Sequence, residues 1–444
     1  MNHDTLSLLR AGQLGNIRRL DLSCGLTEFP PEIFSLADSL EVLNLSGNQL
    51  DSLPSDLHRL YRLQVIFCSD NRFTELPRAL GSCAHLEVVG FKANQIRTVD
   101  AASLPPQLRW LILTDNCIDL LPDELGRRPR LQKLMLAGNR LRALPPSLIA
   151  CQQLELIRIA ANRLESFPSF LTRLPRLAWL AFGGNPFVGP GRSLQGAAFM
   201  PTIGWHDLRL GAVLGEGVSG VIHEAIDSRS AGRPSIAVKV FKGSVTSDGL
   251  PEDEMAACMT AGTHPALIGA TAQVSGHPQG RPALVMPLVD PSMRVLAGPP
   301  SLSSCTRDVY PERFFLRYEV AMGIARQIAS AAAHLHANGI LHGDLYAHNI
   351  LQDDKGRALL GDFGAASFFD GLTAGDAESL QRVEARAFGC LLEELLAHAK
   401  LPAQDLAIET LRDRCLSTDA ASRPNLAEIH RLLSLHTPSP EFTL

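Results

Sequence analysis

At 444 residues the chain is long enough for two or three domains with real cores, and a formal net charge of -5 offers no basic face for nucleic acid. The first residues, MNHDTLSLLRAG, lack the basic-then-apolar pattern of a secretory signal, and no apolar run approaches the length of a membrane span. Nine cysteines, scattered singly with no C-x-x-C pair, fit small buried hydrophobes in a reducing compartment and predict a cytoplasmic protein.

The first half is one unit copied. Leu40 opens LEVLNLSGNQLDSLPSDLHRLYR and Leu63 opens LQVIFCSDNRFTELPRALGSCAH; the pattern runs on to Phe187. Its Asn column reads Asn48, Asn71, Asn94, Asn116, Asn139, Asn162 and Asn185, with only the step from Asn94 to Asn116 a residue short. An earlier copy starts at Ile17 and places Gly25 where the Asn belongs, as terminal capping repeats often do. Over roughly Asp4 to Pro190 the chain resembles the leucine-rich repeat family. The L-x-L step is a short strand with its leucines inward, and the Asn side chain can satisfy backbone groups of the neighbouring turn. The L-P step ends the extended segment, because Pro fixes φ and lacks an N–H. No copy can bury its leucine face alone, so the copies stack into an α/β solenoid.

The outward strand positions carry the information that the repeat does not. Two columns alternate with the inward leucines and contain Val42, Val65, Phe67, Trp110, Ile112, Met135, Leu156 and Trp179. Such an apolar stripe on the concave face predicts either a site for a protein partner or a surface covered by this chain's own second domain. If Trp110 and Trp179 anchor that contact, their loss weakens it strongly.

GNPFVGPGRS then breaks the repeat with Gly and Pro. The expected organisation is a repeat domain of about eight repeats over 1–190, a linker at 191–204, a second domain at 205–437 and a tail at 438–444. The second domain opens with Gly215, Gly217 and Gly220 between two apolar alternating runs, a pattern that a plain Gly-rich hairpin also explains. In IAVKVF, Lys239 sits in a strand-like run where a charge needs a partner or a ligand. PEDEMAACM begins a helix with acids. Further on come ILHGDLYAHNIL, with Asp344 and Asn349, and LLGDFGAAS, with Asp362 before Phe363 and Gly364.

Taken in this order, with FGCLLEELL and CLSTDAASRP after them, these segments from about Trp205 to His436 resemble a protein kinase domain, an α+β bilobal fold. The resemblance implies that Gly215, Gly217 and Gly220 close over the phosphates of ATP and that Lys239 grips the α- and β-phosphates. Glu254 would hold that lysine, with Glu252 as rival. Asp344 would orient the acceptor hydroxyl and take its proton, and Asn349 and Asp362 would hold magnesium. The hinge would be Met286 to Val289. There Pro287 keeps its carbonyl as acceptor and Val289 can still donate to adenine.

Departures from the family pattern are equally specific. Gly343 stands where an Arg usually precedes the Asp, so a phosphate on the following segment would meet no obvious charge there. Tyr346 replaces the Lys that touches the γ-phosphate in Ser/Thr kinases, and the expected substitute is His348. No A-P-E follows Asp362, and DAES (Asp376 to Ser379) is at best its remnant. The expected function is a cytoplasmic, ATP- and magnesium-dependent protein kinase, Ser/Thr-directed, whose repeats bind a partner or substrate. The alternatives are a nucleotide-binding pseudokinase scaffold and a small-molecule kinase. Retention of Lys239, Asp344, Asn349 and Asp362 separates the first reading from the scaffold.

Overall fold

The computed structural model describes residues 2–189, 200–217, 219–229, 232, 235–242, 245–400 and 405–436. Most of the expected linker and the tail at 438–444 lie outside them. The chain divides into two compact units, Met1–Leu174 and Pro175–Leu444. No helix among the described residues is long and apolar enough to cross a membrane.

The first unit begins with helix α1 (Asn2–Arg10). Seven three-residue strands follow: β1 (Arg19–Asp21), β2 (Val42–Asn44), β3 (Val65–Phe67), β4 (Val88–Gly90), β5 (Trp110–Ile112), β6 (Lys133–Met135) and β7 (Leu156–Arg158). They pair in parallel and in sequence order, each residue level with its counterpart in the next copy. The central residues Leu20, Leu43, Ile66, Val89, Leu111, Leu134 and Ile157 are at most 1% exposed. Short 3-10 turns bring the chain back, and those at Arg78–Ser82, Asp123–Arg127 and Pro146–Ala150 follow Pro77, Pro122 and Pro145 held at φ of -60°, -72° and -62°. That is the geometric meaning of the L-P step.

The Asn column is a hydrogen-bonded ladder. Asn139 accepts from the Ile118 N–H at 3.1 Å and donates to the Leu113 and Leu136 carbonyls at 2.8 and 3.0 Å. Asn71 and Asn162 repeat the arrangement. The residue before each Asn bends through the left-handed region: Gly47 (φ 72°), Asp70 (54°), Ala93 (53°), Asp115 (57°), Gly138 (71°) and Ala161 (53°). Gly, and to a lesser degree Asp, tolerates this conformation, whereas Ala93 and Ala161 are strained in it.

The outward columns are less open than their position suggests. Val65, Met135 and Leu156 are buried, while Val42, Phe67, Trp110 and Ile112 are half-buried. Register is one reason, since Val65 lies level with Val42 on one side and Val88 on the other. Trp110 carries the Lys133 ammonium over its ring at 4.3 Å.

The second unit takes in the last repeat copy, with its strand β8 (Trp179–Ala181). It contains a twisted sheet formed by β9 (Thr202–Gly204), β10 (Leu208–Glu216), β11 (Gly220–Asp227), β12 (Ser235–Phe241), β13 (Ala272–Ser275) and β14 (Ala283–Pro287). Their order across the sheet is β10-β11-β12-β14-β13-β9. The segment Thr202–Gly204, expected in a linker, is thus an edge strand pairing in parallel with β13. Ala225, Val238, Val240, Ala272, Ala283 and Val285 form the sheet's core. Helix α2 (Pro251–Ala261) follows β12, with Pro at its start and three acids in its first turn. A helical lobe completes the unit, with α3 (Tyr318–Ala337), α4 (Ala374–Ala397), α5 (Leu406–Cys415) and α6 (Leu426–Leu435). None of the nine cysteines is in a disulfide, and burial pushes the thiols of Cys258 and Cys415 up to about 12.

Candidate active site

The strands β10 and β11 are joined by the glycine hairpin. Gly217 N–H donates to the Gly220 carbonyl at 2.9 Å. A Cβ on Gly220 would stand 2.6 Å from the Val240 carbonyl oxygen, so only glycine fits, whereas Gly215 and Gly217 face open space. Below the hairpin, Lys239 on β12 lies between Ile222 of β11 and Leu284 of β14. Its ammonium pairs with Glu254 on α2, both side chains being largely buried, while Glu252 points to solvent. Burial pushes the Glu254 carboxyl up, and the Lys239 charge opposes that rise.

Asp344 and Asn349 occupy the loop between the short strands Ile340–Leu341 and Ile350–Gln352. Asn349 Nδ2 donates to the Asp344 carbonyl at 2.9 Å and to its Oδ2 at 2.8 Å. The Asp344 N–H donates to His342 Nδ1 at 3.3 Å, so His342 Nε2 carries the proton that it donates to the Gly361 carbonyl at 3.0 Å. Asp362 has φ 54° and accepts the Gly364 N–H through Oδ1 at 3.1 Å.

Gly217, Gly220, Lys239, Glu254, Asp362 and Gly364 line one cavity of about 280 Å³. A second, of about 450 Å³, is lined by Gly215, Pro287 and Val289 and shares Ile222, Ile268 and Met286 with the first. Volumes of this size suit a small-molecule ligand.

His348 is held where sequence gave no hint. Asp308, whose side chain is fully buried, accepts from His348 Nδ1 at 2.7 Å and from its backbone N–H at 3.0 Å. Burial alone would lower the imidazole pKa, but the Asp308 hydrogen bond and charge, helped by Asp344 and Asp362, raise it above its ordinary value. Behind the loop, buried Glu384 on α4 accepts the Gly343 N–H at 2.7 Å and pairs with His336 at 2.7 Å. Burial works to raise the Glu384 carboxyl; His336, His342 and the Gly343 N–H outweigh it and lower the pKa.

One expectation is corrected here. Trp179 is 1% exposed and cannot anchor an external partner, because its ring stacks on Tyr346 at 4.2 Å. Tyr346, for its part, is 3% exposed and covered by that ring.

Asp253 makes a separable prediction. Its Oδ2 is buried without a hydrogen-bond partner, and burial, with Glu252 next, pushes the carboxyl up to about 6. The raised value means that the folded state holds its proton longer than the unfolded chain does. The resulting stability is present below the unfolded value near 3.8 and is lost as pH rises through about 6. Asp253→Asn should therefore be more stable than wild type at pH 7.5 by about 1–3 kcal/mol. The gain in melting temperature should shrink towards zero below pH 4.

A glycine hairpin over a strand lysine, an Asp–Asn loop and a D-F-G turn on one cleft define the two-lobed protein kinase fold. The protein kinase domain family matches residues 208–384, and the leucine-rich repeat family matches residues 39–60. A Drosophila melanogaster protein, serine/threonine-protein kinase PITSLRE, is 30% identical over 153 residues, 34% of this chain and 15% of its own. CBL-interacting protein kinase 22 of Oryza sativa is 29% identical, covering 36% of each chain. The liver/testis phosphorylase b kinase gamma catalytic chain of Homo sapiens is 31% identical over 34% of this chain and 36% of its own. The chain thus spans between 15% and 36% of these relatives' lengths. A leucine-rich-repeat protein of Leptospira interrogans is 29% identical, covers 38% of this chain and 49% of its own, and has a TM-score of 0.32. The chain thus carries a leucine-rich repeat match near its start and a protein kinase domain match at 208–384.

Proposed function

We propose that the chain is an ATP- and magnesium-dependent protein kinase, directed at serine or threonine, that acts in the cytoplasm and selects its partner through the repeats. The observation that carries this is the Lys239–Glu254 pair in a cleft that also holds Asp362, with Asp344 and Asn349 hydrogen-bonded to each other in the adjoining loop. Adenine would lie against Met286 and the main chain at Val289, with Gly215, Gly217 and Gly220 above the phosphates and Lys239 on the α- and β-phosphates. The donor set fits magnesium. Asn349 commits its Nδ2 to Asp344, which leaves Oδ1 as a hard oxygen ligand, and Asp362 commits Oδ1 to Gly364, which leaves Oδ2. Bound there, the ion offsets charge on the phosphates. Asp344 orients the acceptor hydroxyl and receives its proton.

His348 supplies the cation that Tyr346 cannot. Asp308 fixes Nδ1, which leaves Nε2 for a phosphate oxygen. His348→Ala should lower turnover by ~10²-fold, as loss of other charge-stabilising donors does; unchanged turnover would place that cation elsewhere. On the repeats, Val42, Phe67, Trp110 and Ile112 are the half-buried members of the concave columns available to a protein partner or substrate. The deciding experiment incubates the purified chain with radiolabelled ATP, with and without magnesium and with cell extract. Label on protein that disappears in Asp344→Asn supports the proposal. Equal residual label in both proteins makes the domain a scaffold, and label confined to small molecules makes it a small-molecule kinase.

A further inference from the structure

Only residues 363–373 separate Asp362 from the start of α4, so little chain is available to cover the outer side of the Asp344 loop. The last repeat copy covers it instead. The Arg423 guanidinium donates to the Pro175 carbonyl at 2.7 Å and that of Arg386 to the Arg176 carbonyl at 3.1 Å. At the other end, Phe182 N–H and Gly183 N–H both donate to Ser367 Oγ at 3.0 Å. The segment between these anchors is therefore tied down mainly through its backbone.

Within it, Trp179 Nε1–H donates to the Leu345 carbonyl at 3.1 Å. Glu384 accepts the Gly343 N–H. The residues on either side of Asp344 are thus pinned, one by α4 and the other by the last repeat. The Trp179 ring stacks on Tyr346 with an interplanar angle of 7°, and Tyr346 in turn lies against His348 at 5.0 Å. One aromatic ladder therefore runs from the repeat to the side chain that Asp308 holds. Gly343 belongs to the same arrangement. It has φ 72°, and a Cβ there would stand 2.6 Å from the Ala365 carbonyl oxygen and 2.7 Å from that of Leu180. An Arg at that position, as in the family pattern, could not coexist with the repeat where it lies.

We propose that the last repeat, Pro175–Val188, braces the catalytic loop in place of a longer segment after D-F-G, with Trp179 as a positioning residue for Asp344 and His348. The roles of those two residues rest on the kinase reading, but the brace itself can be read without activity. The test uses the full chain and two variants. Trp179→Ala removes the ring and the N–H; Trp179→Phe keeps a ring and removes the N–H. Hydrogen–deuterium exchange over residues 340–350 should speed up about tenfold or more in Trp179→Ala, while exchange in β12 and β14 stays as in wild type. Turnover should fall by ~10²-fold in Trp179→Ala and ~10-fold in Trp179→Phe, with KM for ATP within about twofold of wild type.

Unchanged exchange at 340–350 in Trp179→Ala overturns the brace. Faster exchange with unchanged turnover overturns the positioning role. Faster exchange in Trp179→Ala, with a wild type that transfers no phosphate, leaves the brace standing and removes the kinase reading. If Trp179→Ala loosens the whole unit, Trp179→Phe decides: a well-folded variant with wild-type turnover and exchange shows that the Leu345 bond positions nothing.

Discussion

Asp344→Asn is expected to lower phosphoryl transfer by ~10³-fold or more while leaving the dissociation constant for magnesium-ATP within about twofold of wild type. The reason is geometric. Under the proposed function Asp344 acts on the acceptor hydroxyl, not on the nucleotide, and an asparagine there can still accept the Asn349 Nδ2 bond that shapes the loop. Asp362→Asn separates the other half of the chemistry. The single amide oxygen of the substituted side chain can still accept the Gly364 N–H, so the D-F-G turn keeps its form, but under the proposed function the ion then meets a neutral NH2 in place of the carboxylate Oδ2. Magnesium-dependent ATP affinity should fall by about tenfold or more. Titration calorimetry with ATP, with and without magnesium, reads the second effect, and label transfer reads the first. If Asp344→Asn also abolished nucleotide binding, the loop would be a structural support of the cleft and not its proton acceptor.

Much of this arrangement is legible in the sequence because it depends on local spacing. The Asn column announces the ladder, since a buried amide repeated in fixed register has few other uses. The order of Gly215, Lys239, Asp344 and Asp362 announces the two-lobed domain in the same way. Glu254 was also within reach: with Ala257, Cys258 and Ala261 it forms an i, i+3, i+4, i+7 stripe that α2 buries, whereas Glu252 faces water. The bends before each Asn were less accessible, because alanine at 93 and 161 gives no sign of a positive φ. What spacing could not reveal are contacts between distant parts of the chain. Trp179 fills a regular outward column, and only its fold contact with Leu345 and Tyr346 shows that it does not wait for a partner. Asp308 lies in a segment without a motif, and its role appears only where it meets His348.

The ladder sets the second large expectation, in the repeat unit alone. Asn139→Ala removes three hydrogen bonds at a residue 6% exposed. The losses are unequal. The Leu113 carbonyl keeps a bond from Asn116 at 3.1 Å, and the Leu136 carbonyl keeps one from Asn162 at 2.9 Å, so each acceptor loses only one of two donors. The Ile118 N–H loses the Asn139 oxygen that it is given in the ladder. An orphaned buried donor costs about 1–3 kcal/mol and each lost acceptor bond about 0.5–1.5 kcal/mol, a sum of about 2–6 kcal/mol whose lower end applies because each carbonyl keeps a donor. Because neighbouring copies share these carbonyls, the loss should be felt on both sides of the substituted turn. Amide exchange over residues 111–136 should then quicken by ~10²-fold, the ratio that such a free-energy loss produces when exchange follows opening of the strands. Exchange in β12 and β14 of the other unit should be unaffected. A variant that protects 111–136 as well as wild type would mean that water enters the turn and takes over the amide's bonds, and the Asn column would then owe its regularity to shape and not to the ladder.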